Sequence, residues 1–539
     1  MTANGPAITA NRPARTANRP ATTAEAPAAA SPLAASPQAA ASPQAAASAA
    51  SPQAAASRLP ALLGLCFLAG PMLSMIDSSV VNVAVPTIVR GLHTSLDSAA
   101  WAVSGYLLGL ACGLAATPWL ARRFGILRAY GAVLLGFTLA SAGCALVPSV
   151  GLLVVARVVQ GLAGAPMVPL AMSLILDPSR SGDRGRGMPA SAGIVLFAAP
   201  ALGPAIGGLL ISAFGWRSVF LVNVPVGLLA LAGVRAARRA LPPGGGDRGA
   251  RLDVPGLVLL AAGLGLATYG ASKGPVLGWL SPGSAPAWAG GLVLVACYVL
   301  RERRAGRERT VGRERRVGRE RGAGRERGAP AAVNLSLLSS PARALTLGLA
   351  CVASVVLFAV LFLAPLFLQQ IQHHGTTVTG LVLLPQGVVM GLASWLGSVL
   401  IERGKAHPAV ITVSVSGGLA LLAASTMGLL LLTASTPLWV TTALLCGRGV
   451  ALGLTVQPLV MALLAGLGPR LMPDANTLFN MAERLSGSFG IALLATLYAS
   501  RATTTGSPVT ALHDCALVLV AAAAVGAVAA ACQHGRVRQ

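Results

Sequence analysis

Apolar residues come along this chain in long unbroken blocks, not in the alternation of a half-buried strand or the one-sided stripe of a surface helix. About fourteen blocks have the length that crosses a hydrocarbon layer about 30 Å thick. They lie near 60–82, 101–121, 129–147, 151–176, 188–213, 219–236, 254–272, 285–301, 344–370, 378–401, 409–432, 437–465, 474–500 and 513–532. Short connections rich in Gly, Pro and Arg separate them. A block that is apolar all round can satisfy its backbone in lipid only as a helix. The pattern predicts an all-α integral membrane protein: two six-helix bundles, with two extra central transmembrane helices between them.

Two stretches break the pattern. Residues 1–58 are almost entirely Ala, Pro, Ser, Gln and Thr and carry repeated SPQAAA units. They can bury no core and are expected to be a disordered cytoplasmic tail. The stretch RERRAGRERTVGRERRVGRERGAGRERGAP, 301–330, repeats a six-residue unit and holds twelve Arg against five Glu. A glycine in each unit weakens any helix, so a solvated linker is expected there, with a polybasic grip on anionic lipid as the alternative. The predicted organisation is therefore a tail (1–58), a first six-helix half (59–240), two extra helices (241–302), an Arg-rich linker (303–332) and a second six-helix half (333–535).

Composition agrees, since 55% of the residues are hydrophobic and 10% are charged, a balance no soluble fold can hide. The formal charge of +24 sits in particular connections. Arg122, Arg123 and Arg128 follow the second block, Arg180, Arg184 and Arg186 the fourth, and Arg235, Arg238, Arg239, Arg248 and Arg251 the sixth. The odd connections hold single charges such as Arg90, Arg217, Lys273 and Arg501. The positive-inside rule then puts the even connections and both termini in the cytoplasm. Topology explains the basic charge, and no basic face interleaved with aromatics suggests nucleic acid. The eight cysteines stand singly in or beside apolar runs and read as small apolar residues, without metal or redox spacing.

Within this apolar background a few groups need a reason. Asp77 stands in MIDSSVVNVAVP, and an intramembrane carboxylate must be hydrated, paired or protonated. Arg157, in RVVQGLAGA, poses the same problem. Counted at about 1.5 Å per residue from the inner end, both lie roughly 25–28 Å deep, so they could face each other across a cavity. The alternative is that each snorkels to the outer surface. Glu483 and Arg484 are adjacent in NMAERLSGSFGIAL and lie about 100° apart on a helix, so they cannot both face one direction; the alternative to a functional role is a local pair near the cytoplasmic end of that span. In LGPAIGG, Gly203, Pro204, Gly207 and Gly208 allow a kink and a close helix approach. Asn82, Gln457 and Asn476 are candidates for lining a substrate cavity.

Read together, IDSSVVNVAVP, RVVQGLAGA, LGPAIGG and WRSVFLVNVPVG resemble the major facilitator superfamily, and within it the drug:proton antiporters with fourteen spans. The second half echoes it more loosely in LFLQQIQHHG, TGLVLLPQG and CGRGVALGL. The resemblance covers about residues 60–532. It implies a monomer in the bacterial plasma membrane that exchanges protons for small lipophilic or cationic compounds such as antibiotics. In that reading Asp77, Arg157 and Glu483 take part in proton coupling. Gly203, Pro204, Gly207 and Gly208 of LGPAIGG carry the motif that marks antiporters, Gln160 and Gly161 belong to the family motif in RVVQGLAGA, and Arg123, Gly125 and Arg128 belong to a gating loop. Two positions of that loop, PWLARRFGILR, depart from the family pattern: Pro118 stands in place of Gly and Arg122 in place of Asp. Export of a specific metabolite, an amino acid or siderophore, is the alternative, with few intramembrane polar groups to hold one. An enzyme would need clustered His, Asp, Glu or Cys, and the six histidines lie near loops or the tail. No phosphate loop implies ATP, and no cofactor or metal is expected.

Overall fold

The structure is a computed structural model, describing residues 52–175, 190–240, 246–247, 249–250, 252–317, 335–403, 408–468 and 471–537. Its contacts divide the chain into two units, Met1–Ala55 and Ala56–Gln539, and the second carries the helical bundle. Every regular element among the described residues is helical. In the first half these are α1 (Pro52–Gly91), α2 (Leu96–Phe124), α3 (Ile126–Leu146), α4 (Val150–Gly164), α5 (Met167–Ile175), α6 (Ala190–Phe214), α7 (Ser218–Leu221) and α8 (Asn223–Ala240). Next come α9 (Val254–Leu277) and α10 (Ala285–Val317). The second half holds α11 (Pro341–Leu366), α12 (Thr376–Arg403), α13 (Pro408–Met427), α14 (Leu438–Leu464), α15 (Met472–Thr505) and α16 (Pro508–Val537).

The breaks follow local chemistry. Gly125, at φ +77°, joins α2 to α3 in backbone that an L side chain rarely adopts. Asp253 caps α9 by accepting from the Gly256 N–H at 3.1 Å, beside a proline in the first turn. Pro166 separates α4 from α5, because a proline has no N–H to continue the ladder.

Each of the about fourteen expected apolar runs falls on a helix, but eleven stretches among the described residues are long and apolar enough to cross a membrane. The remaining expected runs lie on α6, α10 and α15. The side chains of 190–200 on α6 lie outside the described residues, and the remainder, Ala201–Phe214, is a shorter apolar helix. In α10 Arg301 and Glu302 cut the apolar stretch short, and α15 carries Glu483 and Arg484 midway. Two other boundaries differ. The first helix begins at Pro52, inside the expected tail, because the QAAAS residues ahead of the apolar run are good helix formers. Helix α10 continues to Val317 within the Arg-rich repeat. Extension from an existing helix avoids the nucleation penalty, so Arg, Glu and Ala outweigh a glycine costing about 1 kcal/mol. The rest of the tail and linker, and Arg180, Arg184, Arg186, Arg248 and Arg251, lie outside the described residues.

Packing repeats between the halves. The second helix of each half lies on its fourth, α2 on α4 and α12 on α14. Across the halves the second meets the fifth both ways, α2 on α15 and α6 on α12, which gives the bundle an approximate two-fold relation. Glycines permit these crossings: a Cβ at Gly109 would lie 3.1 Å from Leu162 N, and one at Gly453 2.7 Å from Ala393 Cβ. Of the extra pair, α9 packs on α10 and also against α2 and α15, along one seam between the halves.

Candidate functional site

Most polar side chains of α1 turn back on their own helix. Ser78 donates to the Met75 carbonyl at 2.7 Å, Ser79 to Ile76 at 3.0 Å and Thr87 to Ala84 at 2.7 Å. That is the usual economy of hydroxyls in an apolar helix. Asn82 does the same, donating to the Ser78 and Ser79 carbonyls at 3.3 Å each, and its Oδ1 is buried without a partner. Asp77 instead reaches other helices.

The Asp77 carboxylate is fully buried, and its Oδ2 forms an ion pair with Arg157 Nη1, itself fully buried on α4. Oδ1 accepts from Gln160 Nε2 at 3.0 Å and from Asn223 Nδ2 at 2.8 Å. Gln160 is one turn beyond Arg157, so both face α1. Its Nε2 also donates to Ser141 Oγ at 2.6 Å, and its Oε1 accepts from Arg157 Nη1 at 2.6 Å and from Cys144 Sγ at 3.5 Å. Arg157 Nε donates to the Ala102 carbonyl of α2 at 3.0 Å, its guanidinium stacks 4.0 Å over the Tyr106 ring, and its Nη2 is buried without a partner. Tyr106 in turn donates to the Ser74 carbonyl at 3.0 Å. One carboxylate thus ties α1 to α4 and α8 directly, and through Gln160 and Arg157 to α3 and α2. A buried pair held by this many hydrogen bonds can offset desolvation, and removing one partner would cost about 3–5 kcal/mol.

The glycines of LGPAIGG press α6 onto this region. A Cβ at Gly203 would fall on Ser79 and lie 3.0 Å from the Ile76 carbonyl, and one at Gly207 would fall on Val80. Gly208 meets Thr376 of α12, and Pro204 is approached by Gly380 of the same helix. The motif therefore sits between the helix that carries Asp77 and the second half. Gly161 serves α4 in the same way, against the Tyr106 carbonyl of α2.

The other expected residues lie elsewhere. Glu483 and Arg484 are half-buried and make no ion pair with each other, and Arg484 lies 5.7 Å from the Phe358 ring. The local pair expected there does not form, because the two side chains leave the helix in different directions. Gln457 is half-buried, whereas Asn476 is exposed in the first turns of α15 and accepts from Asn480 at 3.3 Å. In the loop expected to gate, Arg128 is exposed, and the half-buried Arg123 keeps a buried Nη1 without a partner.

Several members of the cluster stand out little in the sequence: Asn223, Ser141, Cys144 and Tyr106. Asn223 had a signal, an amide inside the quoted WRSVFLVNVPVG. Asp247 gave none. Its N–H donates to the Arg122 carbonyl at 2.7 Å, which brings an acid from a distant loop to the segment where this chain has Arg122 in place of the acid expected from the family pattern. Arg448 on α14 is the two-fold counterpart of Arg157, fully buried, yet it donates to Thr426 Oγ1 at 3.1 Å and to the Val356 carbonyl, and no ion pair among the described residues includes it.

The sequence profile described as the Major Facilitator Superfamily matches residues 67–491. The chain is 31% identical over 438 residues to the Multidrug resistance protein B homolog of Mycobacterium tuberculosis, covering 80% of this chain and 75% of that protein. It is 32% identical over 448 residues to the Tetracenomycin C resistance and export protein of Streptomyces glaucescens, covering 82% and 76%. Among solved structures it resembles an auto-inhibited POT family peptide transporter, with TM-score 0.61 and 14% identity over 87% of this chain and 96% of that one. A bacterial homolog of the human lysosomal transporter Spinster gives TM-score 0.58 at 17% identity, over 88% and 96%. Match and fold agree: this chain belongs to the major facilitator superfamily and is a membrane transporter, not an enzyme.

Proposed function

We propose that the protein exports small lipophilic or cationic compounds, antibiotics among them, across the bacterial plasma membrane in exchange for protons. In this reading it acts as a monomer with fourteen crossings and both termini in the cytoplasm. The observation that carries the proposal is the buried Asp77–Arg157 pair and its amide donors. The names of relatives, a multidrug resistance protein and a tetracenomycin C export protein, support the class of cargo.

The chemistry rests on the donor count. Ionised, Asp77 accepts from one guanidinium and two amides, which holds α1 against α4 and α8. Protonation removes the attraction to Arg157 and turns one acceptor oxygen into a donor, so α1 is released from those neighbours. The grip of Gly203 and Gly207 on α1, and of Gly208 on α12, passes that movement toward the second half. Alternating exposure of Asp77 then loads a proton on one side and releases it on the other. Hydrogen bonds between the halves run from Thr376 to the Gly208 carbonyl at 3.0 Å, from Gln369 to Val83 at 3.0 Å and from Ser488 to Ser104 at 2.8 Å. The first two lie toward the end of the bundle that the arginine distribution assigns to the outside.

The test of cargo is survival of a drug-sensitive bacterial host expressing the protein against a panel of antibiotics and lipophilic cations. Raised tolerance to members of the panel is expected. Unchanged tolerance together with accumulation of a polar metabolite outside the cells would replace drug export with metabolite export.

A further inference from the structure

On an exposed face of the first half, α3 and α8 run antiparallel and line a groove of about 550 Å³. Small residues form its floor, with Gly131 close enough to α8 that a Cβ there would lie 3.2 Å from Val234. Leucines wall its deeper part, and Leu135 and Leu228 are 44% and 55% exposed, so an apolar partner must cover them. At one end stand Arg128, Arg235 and Arg238, all exposed. No residue lining the groove is acidic, and none of the ion pairs among the described residues involves these three arginines.

The two walls share one gradient. Arg128 precedes Leu135 by seven residues on α3, and Leu228 precedes Arg235 by seven on α8. At about 1.5 Å per residue, each wall passes from guanidinium to exposed leucine over roughly 10 Å. That is the geometry of a lipid: a charged head at the membrane surface and a chain directed inward. Basic pockets between transmembrane helices on the cytoplasmic side suit anionic headgroups, and the basic loops here are those assigned to that side.

We infer that the α3–α8 groove is a binding site for an anionic diacyl phospholipid of the inner leaflet, with the phosphate held by Arg128, Arg235 and Arg238 and an acyl chain lying between Leu135 and Leu228. A zwitterionic lipid fills the apolar part equally well but carries a cation that three arginines repel. A free phosphate meets the charges but leaves the leucines uncovered. This assigns a structural lipid to a face distinct from the Asp77 cluster.

The experiment is native mass spectrometry of the full chain in mild detergent with equal dioleoyl phosphatidylglycerol and dioleoyl phosphatidylcholine. The wild type is expected to retain phosphatidylglycerol in preference, by roughly tenfold, as several guanidinium contacts provide. The triple variant Arg128→Gln, Arg235→Gln, Arg238→Gln should lose that preference while still retaining phosphatidylcholine. Ala132→Trp with Ala232→Trp, which fills the floor at positions already exposed, should lower retention of both lipids with the charges intact. Excess inorganic phosphate should leave the lipid bound. Equal retention of the two lipids by the wild type, an unchanged preference in the triple variant, or displacement by inorganic phosphate would each overturn the assignment.

Discussion

Asp77 has a full set of partners, while Arg448, the second half's counterpart of Arg157, has no acid among the described residues. That asymmetry decides what single substitutions do. Asp77→Asn leaves Arg157 as an uncompensated buried cation, and Arg157→Ala leaves a buried carboxylate, so each should lower stability by about 3–5 kcal/mol. Asp77→Asn combined with Arg157→Gln removes both charges and should recover much of that loss, read as thermal unfolding in detergent. Additive destabilisation in the double variant would show that the two side chains do not act as a pair. Arg157→Lys should keep partial activity at best, since one ammonium cannot serve Asp77, Gln160 and the Ala102 carbonyl from a single plane. Of this cluster the sequence disclosed the two charges, because a charge in an apolar run announces itself. It did not disclose Ser141, Cys144 or Tyr106, because single polar groups and aromatics are common in such helices and only the fold brings them within reach.

At the scale of elements, apolar block length marked out nearly every helix. It was weakest where the helix and the block differ in extent, at Pro52 and Val317, since helix propagation depends on propensity and continuity rather than on hydropathy. The glycine motifs were legible as close-approach sites, but not their partners. Gly208→Leu would drive a side chain into the backbone of α12 at Thr376. It should destabilise the protein by about 1–3 kcal/mol and impair transport, whereas Gly143→Leu, at a position open to its surroundings, should leave unfolding nearly unchanged. Equal unfolding temperatures for the two variants would contradict the packing assigned to α6.

For the whole molecule, transport requires the two halves to separate and rejoin at their seams. Ser104 and Ser488 meet across the α2–α15 seam, with the hydroxyl of Ser488 donating to the Ser104 carbonyl at 2.8 Å. Cysteines at these two positions, in a background with the native cysteines replaced, should crosslink on mild oxidation and stop efflux, with recovery on reduction. Full efflux by the crosslinked protein would rule out movement along that seam. In the proposed exchange, Asp77 carries the proton that drives export. The most direct test of that role is efflux of a fluorescent substrate from energised vesicles, with and without a proton uncoupler, comparing the wild type with Asp77→Asn at equal membrane abundance. Wild-type efflux is expected to collapse with the uncoupler, and the Asp77→Asn variant to pump no faster than empty membranes. Wild-type efflux indifferent to the uncoupler, or normal pumping by Asp77→Asn, would contradict that role.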